Sequence, residues 1–340
     1  MRNPTLHDVA RAAGVSYSTA DRVLNRRGGV AEKSVLRVQH AIDELGYQRD
    51  IHAANLSRRR SYVFRFYLPQ GDHSFFTVLR QVVEAQAAQR LAERMQIQIH
   101  DVPPLDADAL AAELSRIEAG DCDCVGIIGS DSGALTAAVE RLQAMRIPVV
   151  TLVSDAAVEA RMLYVGIDNV AAGRTAGRLL RLAHGRGPGR VLPILGALAS
   201  RDHRDRLKGA HEVLTEPGRH LHLLPPIEVQ DRSDILRQKL AAMLAADPQI
   251  TGIYSIGAGN RALIAMLRDM PTPRPFVVLH ELTAHTRAAL EADLIDAVID
   301  QNPDVEITLA LQAMKAIADE LPATPPEVNP TIYLRDNLPR

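Results

Sequence analysis

The sequence predicts a small all-α head followed by a larger α/β body of two doubly wound parallel-sheet lobes. Three observations point there. Residues 1–48 carry three short helical patterns divided by glycine-marked turns. From residue 62, short β-rich runs alternate with helical stretches, as in parallel sheets covered by helices on both faces. The runs are too numerous for one sheet of ordinary size, so two similar halves fit better. The 340 residues have room for two or three compact units at roughly 100–200 residues each.

Composition narrows the class. Hydrophobic residues make up 46% and charged residues 24%, ordinary for a soluble chain that builds a core without staples. With no Trp, 7 Tyr and 5 Phe, large aromatic surfaces are excluded. Cys122 and Cys124 are too few for a disulfide framework and fit a reducing compartment. No stretch approaches the run of about 18 apolar residues that a membrane helix needs, so no membrane span is expected. The opening MRNPTLHDVARAAG lacks the apolar core and cleavage site of a signal peptide, so the expected location is the cytoplasm.

The formal net charge of −2 hides an asymmetry. Residues 1–60 hold 11 Lys/Arg and 6 Asp/Glu, a net of +5, which leaves −7 for the remaining 280. A basic head on an acidic body points to a nucleic-acid contact at the head.

In the head, Thr5-Leu6-His7-Asp8 reads as a capping box in its acidic form. Leu6, Val9, Ala10 and Ala13 follow at helical spacing, and Gly14 stops the helix. Ser16 is a second N-cap, and Ala20, Val23 and Leu24 form the apolar stripe of a helix from Tyr17 to Asn25. A third helix spans about Ala31 to Leu45, with Gly46 closing it. A tight turn between the first two helices makes a helix-turn-helix, whose second helix enters the major groove N-terminal half first. Tyr17, Ser18 and Thr19 stand where small polar groups approach base edges. Arg22, Arg26 and Arg27 stand where they reach phosphates. Thr5, Ser16 and Asn25 complete the DNA-facing set. Residues 49–61 are a basic linker with one weak amphipathic turn, too short to be a stable helix alone. There Ala53 permits close approach, and Leu56 can wedge into a minor groove.

In the body, YVFRFYL, IQIHDV, CVGIIG, IPVVTLV and YVGID read as strands, with helices between most of them. RVLPILG, LHLLPPIEV, ITGIYSIG, PFVVLH and DAVIDQ continue the rhythm, and VNPTIYLRDNLPR reads as a last strand and cap. Ligands of open α/β sheets sit beyond the carboxyl ends of the strands. The residues there are polar in nearly every case. Asp72, His73, Asp131, Asp155, Ser200 to Arg206, Asn260, Glu281 and Gln301 line up with Phe75 and Phe76. A cleft rimmed by carboxylates, amides, an arginine and two Phe suits a polyhydroxylated ligand. Hydroxyls want paired donors and acceptors, and Phe covers an apolar sugar face.

The run TLHDVARAAGVSYSTADRVLN, then GGVAEKSVLRVQHAIDELGY and the stretch through Leu56, resembles the head and hinge of LacI/GalR-type transcriptional regulators. The resemblance implies that Tyr17 and Ser18 read bases and that Leu56 is the minor-groove wedge. Asp21 departs from the Ser usual there. A carboxylate at that position repels phosphate but can accept from a cytosine amino group, and it can equally pair with Arg22 or Arg26. The body is similar to the periplasmic-binding-protein-like effector domain of the same family. DRLKGAHEVL places Arg206 at the family's effector arginine, and YSIGAGNRALIAML puts Asn260 at a contact position. Glu281 takes roughly the family's acidic position, and DAVIDQNP puts Gln301 at another contact position.

The expected organisation is a DNA-binding domain over 1–48, a hinge over 49–61 and an effector domain over 62–340. Lobe one is expected at about 62–163 and 297–327, and lobe two at about 166–295 and 328–340. What the resemblance implies is a homodimer on a near-palindromic double-stranded operator, most often a repressor, with a small effector between the lobes. A carbohydrate or polyol is favoured over a purine. A solute-binding protein, or an enzyme acting on a sugar or nucleoside on the same scaffold, are the alternatives.

Other motifs carry no chemistry. His280 and His285 are spaced i, i+5, about 140° apart on a helix, unlike the i, i+4 of a zinc helix. Cys122 and Cys124 have no second pair to complete a metal site. Gly257-Ala258-Gly259 lacks the third glycine of a dinucleotide fingerprint, and GRGPGR at 185–190 lacks the Lys-Ser/Thr ending of a phosphate loop. Gly129 to Gly133 lacks the spacing of a nucleophile elbow. No catalytic constellation, metal or cofactor is expected.

Overall fold

The computed structural model describes residues 4–24, 28–47, 60–71, 73–156, 161–216 and 221–339. The chain divides into two compact units, Met1–Arg60 and Ser61–Arg340.

The first unit holds α1 (Leu6–Ala12), α2 (Tyr17–Leu24) and α3 (Glu32–Leu45). Thr5 and Asp8 form the expected reciprocal box, with Thr5 N–H donating to Asp8 Oδ2 at 2.9 Å. Gly14 takes φ +60° in the turn, a conformation that costs glycine nothing. Ser16 Oγ then accepts from Thr19 N–H at 3.1 Å, capping α2. Val9, Ala10, Ala13, Ala20, Val38 and Ala41 form the small core.

In the second unit, lobe one is a five-stranded parallel sheet in the order β2-β1-β3-β4-β5. Its strands are β1 (Tyr62–Pro69), β2 (Met95–Val102), β3 (Cys124–Ile128), β4 (Val149–Leu152) and β5 (Leu163–Val165). α4 (Ser74–Arg90), α5 (Ala107–Leu114) and α6 (Gly133–Ala144) connect them. Strand β4 is buried along its whole length, as a strand covered on both faces must be.

Lobe two is a seven-stranded sheet. Its main path uses β6 (Gly189–Leu195), β7 (Leu221–Leu223), β9 (Ile250–Ser255), β10 (Phe276–His280), β11 (Ala297–Asp300) and β12 (Thr331–Tyr333). Their order is β12-β11-β10-β9-β6-β7, and β8 (Ile227–Glu228) pairs with β6. Only β12 runs antiparallel, against β11. The helices are α7 (Asn169–His184), α8 (Arg201–Leu214), α9 (Ser233–Ala246), α10 (Asn260–Arg268) and α11 (Ala284–Glu291).

The chain crosses between lobes after β5, after β11, and again after α12 (Pro303–Ala318), where Ile167 bridges to Val328. α12 packs its apolar face, including Ile307, Leu311 and Met314, into the large core that also holds β1 and β4. Residues 297–300, expected in lobe one, instead pair with β10 in lobe two. An apolar run reads alike in either sheet, so its pairing was not legible from the sequence.

In both sheets the strand order reverses at a crevice, between β1 and β3 in lobe one and between β6 and β9 in lobe two. Ligand sites of doubly wound sheets lie beyond the carboxyl ends of such strand pairs. The two crevices face each other.

Candidate functional site

The cleft is built from strand ends. A cavity of about 140 Å³ lies between the lobes. Its lobe-one wall includes Pro69 after β1, Phe75 and Phe76 at the start of α4, and Ile128 to Ser130 after β3. Its lobe-two wall includes Ala197 to His203 in part, Asp231, Gly257 and Glu281. The lobes are clasped over it. His73 Nε2 lies 3.0 Å from the Gly257 carbonyl oxygen and 3.6 Å from Asp231 Oδ1. Arg201 donates to the Ala156 carbonyl at 2.9 Å, and Arg261 donates to Ser74 Oγ at 3.3 Å. Asp131 pairs with Arg204 and, at 3.6 Å, with Arg201.

Arg206 stands behind the polar end of the cavity, outside its lining. It is 1% exposed, its Nε donates to Asn169 Oδ1 at 2.7 Å and its Nη1 to the Ile256 carbonyl at 3.1 Å. Its Nη2 has no hydrogen-bond partner among the described residues. Gly257, at φ +116°, lets these groups converge. A Cβ there would stand 3.1 Å from Arg206 Nη1, 3.2 Å from Glu281 Oε1 and 3.7 Å from His203 Nε2.

Electrostatics follow burial. Burial pushes the Glu281 carboxyl up to about 8, against the pull of His73 and Arg206. Burial opposes charge on His73, but Glu281, Asp231 and the Gly257 carbonyl outweigh it and raise its pKa. Asp202 is also buried. His203, Arg206 and the 2.6 Å bond from Ser200 Oγ overcome that penalty and hold its carboxyl below the usual range. The site therefore offers a donor-rich cation, an ionised carboxylate and a carboxyl poised between states. These suit hydroxyls that donate and accept in turn.

The predicted ligand residues divide. Phe75 and Phe76, with centroids 5.4 Å apart, line the cavity, as does Glu281, and Arg206 stands behind it. Gln301 does not line the cavity; it is 2% exposed, and neither its Oε1 nor its Nε2 has a partner among the described residues. Three others are committed elsewhere and do not line the cavity. Asp155 accepts twice from Arg161, at 2.5 and 2.7 Å, and from Thr151 Oγ1 at 2.7 Å. Asp131 belongs to the clasp. Asn260 accepts from Ser255 Oγ at 2.6 Å and donates to the His280 carbonyl at 2.9 Å, tying β9 to β10. Strand-end position found all of these but could not tell a ligand group from a clasp.

Sequence reasoning missed Asp231 and the wall made by Pro103, Pro104 and Leu105. α8 begins at Arg201, which sets Asp202 and His203 on its first turn. Asp72 lies outside the described residues.

In the head unit, Tyr17, Ser16 and Ser18 are exposed on one side of α2, and Thr19 is half-buried. Tyr17 packs on His7 with centroids 4.4 Å apart. Ser16 Oγ lies 3.0 Å from Ser18 Oγ and 2.8 Å from Thr19 Oγ1. Arg22 Nε donates to the Gly28 carbonyl at 3.3 Å, bracing the turn before α3. Thr5 is spent on its capping box, its hydroxyl donating to Asp8 at 2.7 Å. Asn25, Arg26, Ala53 and Leu56 lie outside the described residues.

Residues 5–50 match the bacterial regulatory proteins of the lacI family, and residues 64–321 match the periplasmic binding protein domain. The chain belongs to the LacI family, with a periplasmic-binding-protein body. This LacI-family chain is 29% identical over 216 residues to the HTH-type transcriptional regulator DegA of Bacillus subtilis, covering 63% of this chain and 61% of that one. It is 29% identical over 176 residues to the sucrose operon repressor of Streptococcus mutans, covering 52% of each. With the HTH-type transcriptional regulator GntR of Pseudomonas aeruginosa it shares 27% identity over 280 residues, 81% of this chain and 78% of that one. The chain thus spans between half and two thirds of the length of the first two relatives. Among solved structures, the glucose-galactose binding protein GanP of Geobacillus stearothermophilus superposes with a TM-score of 0.74 at 19% identity. That match covers 83% of this LacI-family chain and all of GanP.

Proposed function

We propose that this chain is a DNA-binding transcriptional regulator, most simply a repressor, whose operator affinity is set by a sugar or polyol bound between its lobes. The observation that carries the reading is the joining, in one chain, of a helix-turn-helix with exposed Tyr17 and Ser18 to a cleft with buried Arg206, Asp202 and Glu281. The relatives' names, a sucrose operon repressor and a glucose-galactose binding protein among them, support both halves of it. The protein acts in the cytoplasm as a homodimer, its two heads reading half-sites of a near-palindrome. Leu56 and Ala53 in the hinge contact the minor groove, and Asn25 and Arg26 the backbone. Ligand binding changes lobe closure and, through the hinge, the affinity for DNA.

The test is selection of a preferred duplex with the full chain, followed by titration with and without a panel of sugars and polyols. The selected duplex should bind at least about 10³-fold tighter than random sequence. One ligand class should shift that affinity by about 1–3 kcal/mol, and DNA should shift ligand affinity by the same factor. Loss of the ligand response in Arg206→Ala, with DNA binding retained, assigns the response to the cleft. A chain without sequence preference, or one that turns the ligand over, would sink the reading.

A further inference from the structure

The cavity changes character along its length. Its polar end carries Asp202, His203 and Glu281 from lobe two, with His73 reaching in from lobe one. Its lobe-one end is walled by Phe75, Val102, Leu110 and Ile128, with Pro104 and Leu105 at the rim. The polar side chains at that end are few, chiefly Asp106, Tyr67 and Ser130. Asp106 caps α5, accepting from Ala109 N–H at 2.9 Å. Tyr67 stacks on His100 at 4.8 Å between centroids. A sugar hydroxyl set against Phe75, Val102, Leu110 and Ile128 would lose its water and gain no partner from those side chains, whereas an apolar group would lose nothing.

Leu105 strengthens the point. It is 54% exposed and has φ +56°, a left-handed conformation that is costly for a leucine. Between two prolines and the N-cap of α5, the chain holds an apolar side chain out at the rim. Nothing in lobe-one packing requires this, because Leu105 belongs to none of the buried clusters.

We infer that the ligand is a sugar or polyol carrying an apolar substituent, such as an aryl or short alkyl aglycone. Its hydroxyls lie among His73, Asp202 and Glu281, and its substituent lies between Phe75, Leu110 and Ile128 beneath Leu105. This rests on the reading of the cleft as the ligand site and makes it more specific.

The experiment is calorimetric titration of the full chain with matched methyl and phenyl glycosides of glucose, galactose, mannose and arabinose. At least one phenyl glycoside should bind about tenfold or more tightly than its methyl partner. Leu105→Ser, on an exposed loop, should remove most of that preference, weakening the phenyl partner more than the methyl one. Ile128→Thr, one carbon shorter and polar, should do the same from the inner wall. Equal affinity within every pair leaves the cleft a ligand site but overturns the apolar subsite. A phenyl preference that survives both substitutions overturns its location. No binding by either arm of any pair overturns the cleft reading, and this inference with it.

Discussion

The buried carboxyl of Glu306 accepts the backbone N–H of Val153 at 2.7 Å and so holds that residue at φ +62°. A β-branched residue in the left-handed region is strained, and here the strain sits on the cleft wall. Glu306 reaches it from the first turn of α12, and its Oε2 has no partner among the described residues. Burial pushes this carboxyl up to about 8, opposed by the Val153 bond and by Arg206 and helped by Asp300.

The contribution of Glu306 to stability should therefore fall as pH rises. Below the unfolded value of 4.5 the carboxyl is protonated in both states. Between 4.5 and about 8 the folded chain keeps a proton that the unfolded chain has released, so each pH step favours unfolding. Glu281 acts in the same direction over the same window. His73, with its pKa raised, also loses its contribution as pH rises through its folded value. Buried His280, with its pKa lowered, acts in the opposite direction, so the test is differential: the urea midpoint should fall further between about pH 5.5 and pH 8.5 in the wild type than in Glu306→Gln. Glu306→Gln keeps the acceptor for Val153 and removes one titration, worth at most on the order of 5 kcal/mol. A slope unchanged in Glu306→Gln would mean that the carboxyl is solvated.

Gly173→Ala should destabilise the body, although alanine is the better helix former by about 1 kcal/mol. A Cβ on Gly173 would fall 1.9 Å from the Arg206 carbonyl oxygen, and one on Gly209 would fall 2.0 Å from the Val170 carbonyl oxygen. The helices α7 and α8 touch backbone to backbone at this crossing. Overpacking costs typically 1–3 kcal/mol, and a rigid backbone on the far side puts this site at the upper end or beyond. Because α8 must shift, ligand affinity should fall as well. Gly133→Ala, where a Cβ meets nothing within 4 Å, is the matched control and should be neutral or slightly stabilising. Equal urea midpoints for the two variants would refute the close crossing.

Much of this was legible in the sequence, for physical reasons. The Thr5–Asp8 box, the Gly14 turn and the Gly46 stop are local chemistry, and they set the head helices to within a residue. Strand ends were legible because buried strands leave polar residues where they emerge. Pairing was not legible, since it depends on residues far apart in the chain. Asp131, Asp155 and Asn260 look like ligand groups in one dimension. Only Arg204, Arg161 and the His280 carbonyl, brought in from elsewhere, show that they are occupied. The apolar wall at Val102–Leu110 was missed because Pro-Pro-Leu reads as a loop, not as a surface.

Breaking the clasp should alter ligand kinetics more than stability. The side chains of Asp131 and Arg204 are 40% and 39% exposed, so their pair contributes less than about 1 kcal/mol. Yet they join the lobes across the cleft mouth. Asp131→Asn should raise the ligand association rate severalfold and move the urea midpoint little. Salt at about 0.5 M should reproduce part of the effect in the wild type by screening. An association rate insensitive to both would place the clasp outside the entry path.

In the head, Tyr17 and Arg22 should fail in different ways. Tyr17 is 45% exposed and rests on His7, so truncation removes no core packing. Tyr17→Ala should leave head stability within about 0.5 kcal/mol and cost about 1–3 kcal/mol on the preferred duplex, with little change on random DNA. Arg22 is different because its guanidinium already braces the turn. It donates to the Gly28 carbonyl at 3.3 Å, and a Cβ on Gly29 would fall 2.9 Å from its Nη2. A guanidinium there can serve a phosphate and the turn at once, since it has five donors. Arg22→Ala should weaken binding to all sequences alike and lower the slope of log affinity against log salt by about 1. Arg22→Lys, which keeps the charge but not the fork, should restore the slope and not the stability of the turn. If Arg22→Ala lowers head stability with no change in slope, Arg22 holds the turn only, and the phosphate contact belongs to another residue.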